Sequence, residues 1–280
     1  MMVVGRRSRV RRGIGIGVSV AVLLIWSLVP VYWIFITSFK HEQEIYAYPP
    51  TFVPMVPTLE QYVTVLFHTA FPIFIRNSVI VAGVTTLLSA AAGALGAFAI
   101  SRIQFVGRST VARLIVVAYL LPPSLLFIPL FIVLQRLSLI DSLGGLIAAY
   151  LTFSMPFSTW MLIGHIRTIP SELDEAARID GASRLQVLLR IVLPLTLPGL
   201  SVVSLFAFTH AWNEFLYALV FVYSKGTRTI TAGLASLTMG DTFIWGQLMA
   251  ASVLAIIPVL IIYLIAQRWL IAGLTGGSIK

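Results

Sequence analysis

The stretch IPSELDEAARIDGASR, residues 169–184, is the most polar segment inside an otherwise apolar chain. Ser171 is a helix N-cap residue, and Glu172, Asp174 and Glu175 fill the first turn that would follow, where carboxylates favour the positive end of a helix. Leu173, Ala176 and Ala177 fall at i, i+3 and i+4, on one face. Asp180-Gly181 ends that helix, because glycine accepts the backbone angles of a turn. Ser183 is placed to cap a second helix. The stretch therefore predicts a short helix, a sharp turn and a second helix: a bent knob with a small-residue face. Two readings fit such a knob. It docks into a groove on a partner, or it packs on its own protein as an amphipathic loop.

What flanks the knob sets its surroundings. Of the 280 residues, 59% are hydrophobic and 10% charged, whereas soluble domains are about 45–50% apolar and about 25% charged. That excludes a water-soluble globule and a disordered chain. Six charge-free runs are long enough to cross a bilayer, which takes about 20 apolar residues: Gly13–Phe39, Asn77–Ser101, Leu114–Gln135, Ser142–Ile166, Ile191–Asn213 and Thr242–Gln267. The expected fold is all-α, a single membrane domain over residues 1–280. Its spans fall near 14–36, 77–101, 114–135, 143–165, 197–222 and 245–267, with the polar loop at 167–193. The first run follows five arginines, as a secretory signal does, but it is about twice as long as a signal's 7–15 apolar residues; it reads as a retained span.

Of the 19 Lys and Arg, 14 fall on one side of this arrangement. The positive-inside bias puts that side, both termini and the 167–193 loop in the cytoplasm. Outside lie Lys40–Arg76, whose half Gln61–Ile75 is apolar but too short to span, and Val222–Trp245. Pro30, Pro122, Pro123, Pro129, Pro156 and Pro258 lie within the runs. They either kink a moving pathway or reflect the commonness of proline in membrane helices.

Several chemistries are missing. No phosphate loop GxxxxGK[ST], HExxH, CxxC or GxSxG occurs, there is no cysteine, and no two of His41, His68, His165 and His210 stand three or four apart. Metal or cofactor chemistry and an intramembrane enzyme are therefore not expected. The basic residues are scattered between apolar runs rather than gathered on one face, so nucleic acid is not an expected partner. Glu214 is the one carboxylate deep in an apolar run. With Asn213 it lines a pathway or gate, or hydrogen-bonds a partner helix, or marks a helix that ends early at the outer interface. Asn77, at the outer end of the second span, reads as a cap.

The segment Glu175–Ala182, EAARIDGA, resembles the EAA motif of ABC importer permeases, the membrane subunits of binding-protein-dependent uptake systems. The leading Ile169-Pro170 and the trailing LPLTLP at 193–198 fit the same pattern. So do Arg76-Asn77-Ser78, AFAISR at 97–102, WNEFLYA at 212–218 and GLTGG at 273–277, where Gly276 replaces the usual alanine. The likeness covers essentially the whole chain and is greatest to the MalG-type carbohydrate branch. It implies a MetI/MalG-like permease fold in a bacterial or archaeal cell membrane. It implies a second permease, two cytoplasmic ATPase subunits, an extracytoplasmic solute-binding protein and a sugar cargo, or a glycerol-phosphate or polyol cargo. No cofactor is implied. The helix around Ser171–Asp180 would be the coupling helix, with Glu172, Glu175, Ala176, Ala177, Asp180 and Gly181 at the ATPase. A self-contained channel or carrier is the competing class.

Overall fold

A computed structural model describes residues 6–237 and 244–276, with side chains over 15–237 and 244–267. The side chains of the arginines at 6–12 and of the 273–277 tail fall outside those ranges. Among the described residues every regular element is helical. Four helices are individually long and apolar enough to cross a membrane, and two further pairs pass the same test as bent spans.

One unit comprises residues 1–69 and 237–254. Its long helix α1, Arg6–Thr37, is followed by a folded segment that carries the short helices α2, Glu42–Ile45, and α3, Glu60–Phe67. Lys40 is buried at the foot of α1: its Nζ donates to the Thr51 carbonyl and lies 4.9 Å from the centre of the Trp33 ring. Glu44 accepts from the Thr51 hydroxyl and the Met55 N–H. These bonds give the proline-rich segment a fixed path despite its lack of a core.

The second unit comprises residues 70–236 and 255–280. Its centre is α4, Phe71–Arg102, packed along α7, Leu143–Ile166, and beside α11, Leu197–Asn213. Small residues permit the approach: Ser78, Ala82, Thr85, Ser89, Gly93 and Ala97 are buried on α4, and Ser154 and Ser158 on α7. A Cβ on Gly93 would stand 2.7 Å from the Ser158 Cβ. Close backbone approach of this kind replaces the hydrophobic driving force that lipid does not supply. Toward the 167–193 loop the packing becomes apolar, with Phe98, Phe157, Leu162, Ile166, Val187 and Val192 in one buried cluster.

Along the apolar runs the structure departs from the sequence reading in three places. Helix α4 starts at Phe71, with Pro72 in its first turn, rather than at Asn77. Arg76 looked like a boundary, but a single charge does not end a helix, whereas proline suits its start. Asn77 is accordingly no cap. It is fully buried, and its Nδ2 donates to the carbonyls of Gly226 and Arg228, at 2.8 and 2.9 Å. With Ser78, whose hydroxyl accepts the Ile230 N–H at 2.8 Å, it moors the loop that leads into the helix Ile230–Ser236.

The third departure is in the runs at 114–135 and 197–222. The former is two helices, α5 (Arg108–Leu120) and α6 (Pro123–Arg136), bent by 98° where Pro122 and Pro123 offer no N–H to the ladder. The latter run is preceded by an 80° bend between Arg184–Leu195 and Leu197–Asn213, and it breaks again at Glu214 before α12, Leu216–Phe221. Pro30, Pro129, Pro156 and Pro258 sit inside continuous helices.

Candidate functional site

The polar loop and the break at Glu214 each hold charged groups against buried structure. In the loop, α8 spans Glu172–Ile179. Ser171 precedes it but has already adopted helical angles, so its hydroxyl makes no cap, and its carbonyl accepts the N–H groups of Asp174 and Glu175. The far end is closed by a Schellman motif. The Ala182 N–H reaches the Ala177 carbonyl at 2.9 Å, and the Gly181 N–H reaches that of Arg178 at 3.1 Å. Gly181 takes φ +86°, the left-handed conformation such a motif demands. Ser183 and Gln186 then form a reciprocal capping box that opens the next helix, α9, Arg184–Val187. That helix runs through a π-turn at Leu188–Val192 into Leu193–Leu195.

The faces of α8 separate differently from the simple spacing. Asp174 is buried, and Ala177 packs against the apolar cluster of the protein itself. Glu172, Leu173, Glu175, Ala176, Ile179, Asp180 and Gly181 are exposed. Ile179 is 86% exposed and Leu173 44%, so two large apolar side chains flank Ala176 on the outside of the knob. Asp174, which the sequence reading passed over as one more first-turn acid, meets Arg102 at the end of α4, 2.7 Å from Nε to Oδ2. Burial pushes the Asp174 carboxyl up, and the Arg102 charge offsets part of that rise.

Glu214 lies between α11 and α12. Its carboxylate accepts the Tyr150 hydroxyl at 2.8 Å and the N–H groups of Tyr217 and Ala218 at 3.1 Å. It therefore both caps α12 and bonds to α7. Tyr217 in turn donates to the Pro123 carbonyl at 2.6 Å, at the bend between α5 and α6. Glu214 and Asn213 also line a cavity of about 460 Å³ with Phe153, Phe206, Thr209 and His210. Asn213 is exposed, and its Nδ2 donates to the Thr209 carbonyl. Phe206, Thr209, His210 and Asn213 recur at i, i+3, i+4 and i+7, a single stripe of α11 facing the cavity. No Lys or Arg is among its lining residues.

A third cluster, missed in the sequence, lies at Asp141. This residue has φ 57° and accepts from the N–H groups of Tyr223 and Ser224 and the hydroxyls of Ser224 and Thr227. Burial alone would raise its carboxyl. The Ser224 and Thr227 hydroxyls and the two N–H groups outweigh that and hold it below the ordinary carboxylate range. A depressed carboxylate contributes stability that is present above its unfolded-state pKa and lost as pH falls through the folded value. The expected result is that Asp141→Asn lowers Tm at pH 7, and that the gap to the native chain narrows as pH is taken below about 4. Thermal unfolding of both chains in detergent across that range checks it.

Long apolar helices, a walled cavity and a rigid charged knob are the anatomy of a membrane transport subunit. The chain belongs to the family described as the binding-protein-dependent transport system inner membrane component, whose profile matches residues 91–276. It is 37% identical over 269 residues to the inner membrane ABC transporter permease protein YcjP of Escherichia coli K12, covering 95% of this chain and 96% of that one. It is 35% identical over 282 residues to the trehalose/maltose transport system permease protein MalG of Thermococcus litoralis, covering 98% and 99%. Among solved structures, a bacterial ABC transporter involved in the import of the acidic polysaccharide alginate has the same fold. The TM-score is 0.82 at 22% identity, over 96% of this chain and 100% of the other.

Proposed function

We propose that this chain is one of two different permease subunits in an ATP-driven importer of neutral saccharides. In this reading it crosses the bilayer six times with both termini in the cytoplasm, as one domain over residues 1–280. The 98° bend falls within one span, and the 80° bend lies at the entry to another. The observation that carries the reading is α8: a helix closed at its end by Gly181, with Leu173 and Ile179 exposed on its outer side. Two large apolar side chains presented on one side of a rigid knob suit a docking surface. The partner is a cytoplasmic ATPase subunit, one of two, which supplies the ATP hydrolysis. Glu172, Glu175, Ala176, Asp180 and Gly181 surround the contact. Ala177 backs it from the inner face.

The sugar cargo is supported by the relatives' names and by the chemistry of the cavity. Aromatic faces suit the apolar faces of sugar rings, while Asn213, Thr209 and His210 offer hydrogen bonds. The pathway passes this wall, and Glu214 shapes it by capping α12. A phosphate-bearing cargo would want a cation there, and the lining has none. An extracytoplasmic solute-binding protein would deliver the cargo. The test is ATP hydrolysis by the assembled transporter with its binding protein, in liposomes, against maltose, trehalose and glycerol 3-phosphate. Stimulation by a disaccharide supports the reading; stimulation by glycerol 3-phosphate alone replaces the cargo class.

A further inference from the structure

Arg102 is the last residue of α4, and Asp174 lies in the first turn of α8, 72 positions later in the chain. Their side chains are 14% and 12% exposed, with Nε 2.7 Å from Oδ2. The same guanidinium donates through Nη2 to the Ile169 carbonyl, at 2.6 Å, at the start of the loop. One arginine therefore grips the polar loop at two points. Beside the pair is a cavity of about 130 Å³ walled by Phe98, Arg102, Ser171, Asp174, Arg178 and Val187. Close apolar packing is thus incomplete on that side of α8, where the charged pair bridges it to α4.

A partly buried ion pair is short-ranged and costly to break, because either ion left alone is desolvated without compensation. Helix α4, at the other end of the contact, is a rod of 32 residues that packs along α7 and beside α11, the helix whose stripe faces the larger cavity. Interfaces between such rods shift as units rather than deform continuously.

We propose that the Arg102–Asp174 ion pair is the link through which a displacement of α8 is delivered to α4, so that movement at the knob becomes movement of the cavity walls. Arg102 and Asp174 are positioning residues in this account. The inference rests on the reading of α8 as the ATPase-docking helix.

The experiment uses the assembled transporter, captured through a tag on this chain. The chain has no cysteine, so Ser171→Cys and Leu95→Cys place two spin labels, one at the start of α8 and one on α4. The distance between them is measured without nucleotide and with ATP and vanadate. With the native pair, the distance stays constant within about 2 Å; in Arg102→Ala or Asp174→Ala it changes by about 5 Å, one helical turn. Those two variants retain the ATPase and hydrolyse MgATP within about twofold of the native rate. The exchanged pair Arg102→Asp with Asp174→Arg restores the constant distance. Three results overturn the inference: a constant distance in both single variants, loss of the ATPase from both with no recovery in the exchanged pair, or a native distance that itself changes by a turn. Ile179→Asp, measured alongside, keeps the two ideas apart. Full retention of the ATPase by that variant defeats the docking reading itself, whereas its loss with unchanged distances in the ion-pair variants defeats the link alone.

Discussion

Ile179→Asp lowers retention of the ATPase on the tagged chain by at least about tenfold, while the chain still accumulates in the membrane. Burying an isoleucine side chain is worth roughly 1.5–3 kcal/mol, and about 1.4 kcal/mol is tenfold in an equilibrium constant. Ile179 is 86% exposed, so the substitution removes little buried packing. Gly181 gives a second route to the same result. At φ +86° a side chain costs about 1–2 kcal/mol. A Cβ there meets nothing within 4 Å, so that cost is conformational and not steric. Gly181→Val therefore tilts the whole end of α8, and Gly181→Asp does so less, since Asp tolerates the left-handed region better. Gly181→Asp and Glu175→Lys are both expected to abolish uptake with the protein still inserted. Detergent capture followed by quantification of the ATPase, with a transport assay on the same cells, checks all four. Normal uptake by the Gly181 and Glu175 variants would remove the coupling role from this loop.

Glu214→Ala destabilises the protein by about 3 kcal/mol or more, because each buried polar group left without a partner costs roughly 1–3 kcal/mol. Three donors depend on that carboxylate: the Tyr150 hydroxyl and the N–H groups of Tyr217 and Ala218. Glu214→Gln keeps a carbonyl acceptor and is expected to lose less than half as much. The comparison separates capping from charge. If the carboxylate's charge were the functional feature, the Gln variant would be as stable as the native protein and transport as poorly as the Ala variant. Thermal unfolding of the two variants, paired with uptake, decides it.

What the sequence disclosed was what local pattern governs. Apolar runs mark long helices because a bilayer-sized stretch without charge has few other uses. The Asp180-Gly181 turn and the Ser183 cap were legible because their partners lie within five residues. Ser171 was misleading for a related reason: composition shows that a residue suits a cap, but one turn of backbone angle decides whether it serves as one. The contacts that remained hidden are long-range. Asn77 reaches residues about 150 positions away, Asp141 reaches 82 to 86, and Tyr150 meets Glu214 across 64. In each case the residue alone is an ordinary Asn, Asp or Tyr, and only the packing of α4, α7 and α11 gives it a partner. The face of α8 shows the same limit. Leu173, Ala176 and Ala177 share a helical spacing, yet Ala177 packs inward while Leu173 and Ala176 stay exposed.

The most direct test of the account is a mild-detergent purification of the tagged chain, with every copurifying protein identified. The account predicts a second, different permease and an ATPase in stable association, with ATP hydrolysis that responds to solute and binding protein. Recovery of this chain alone, stable and able to move solute across liposomes without ATP, would contradict it and identify a self-contained channel or carrier.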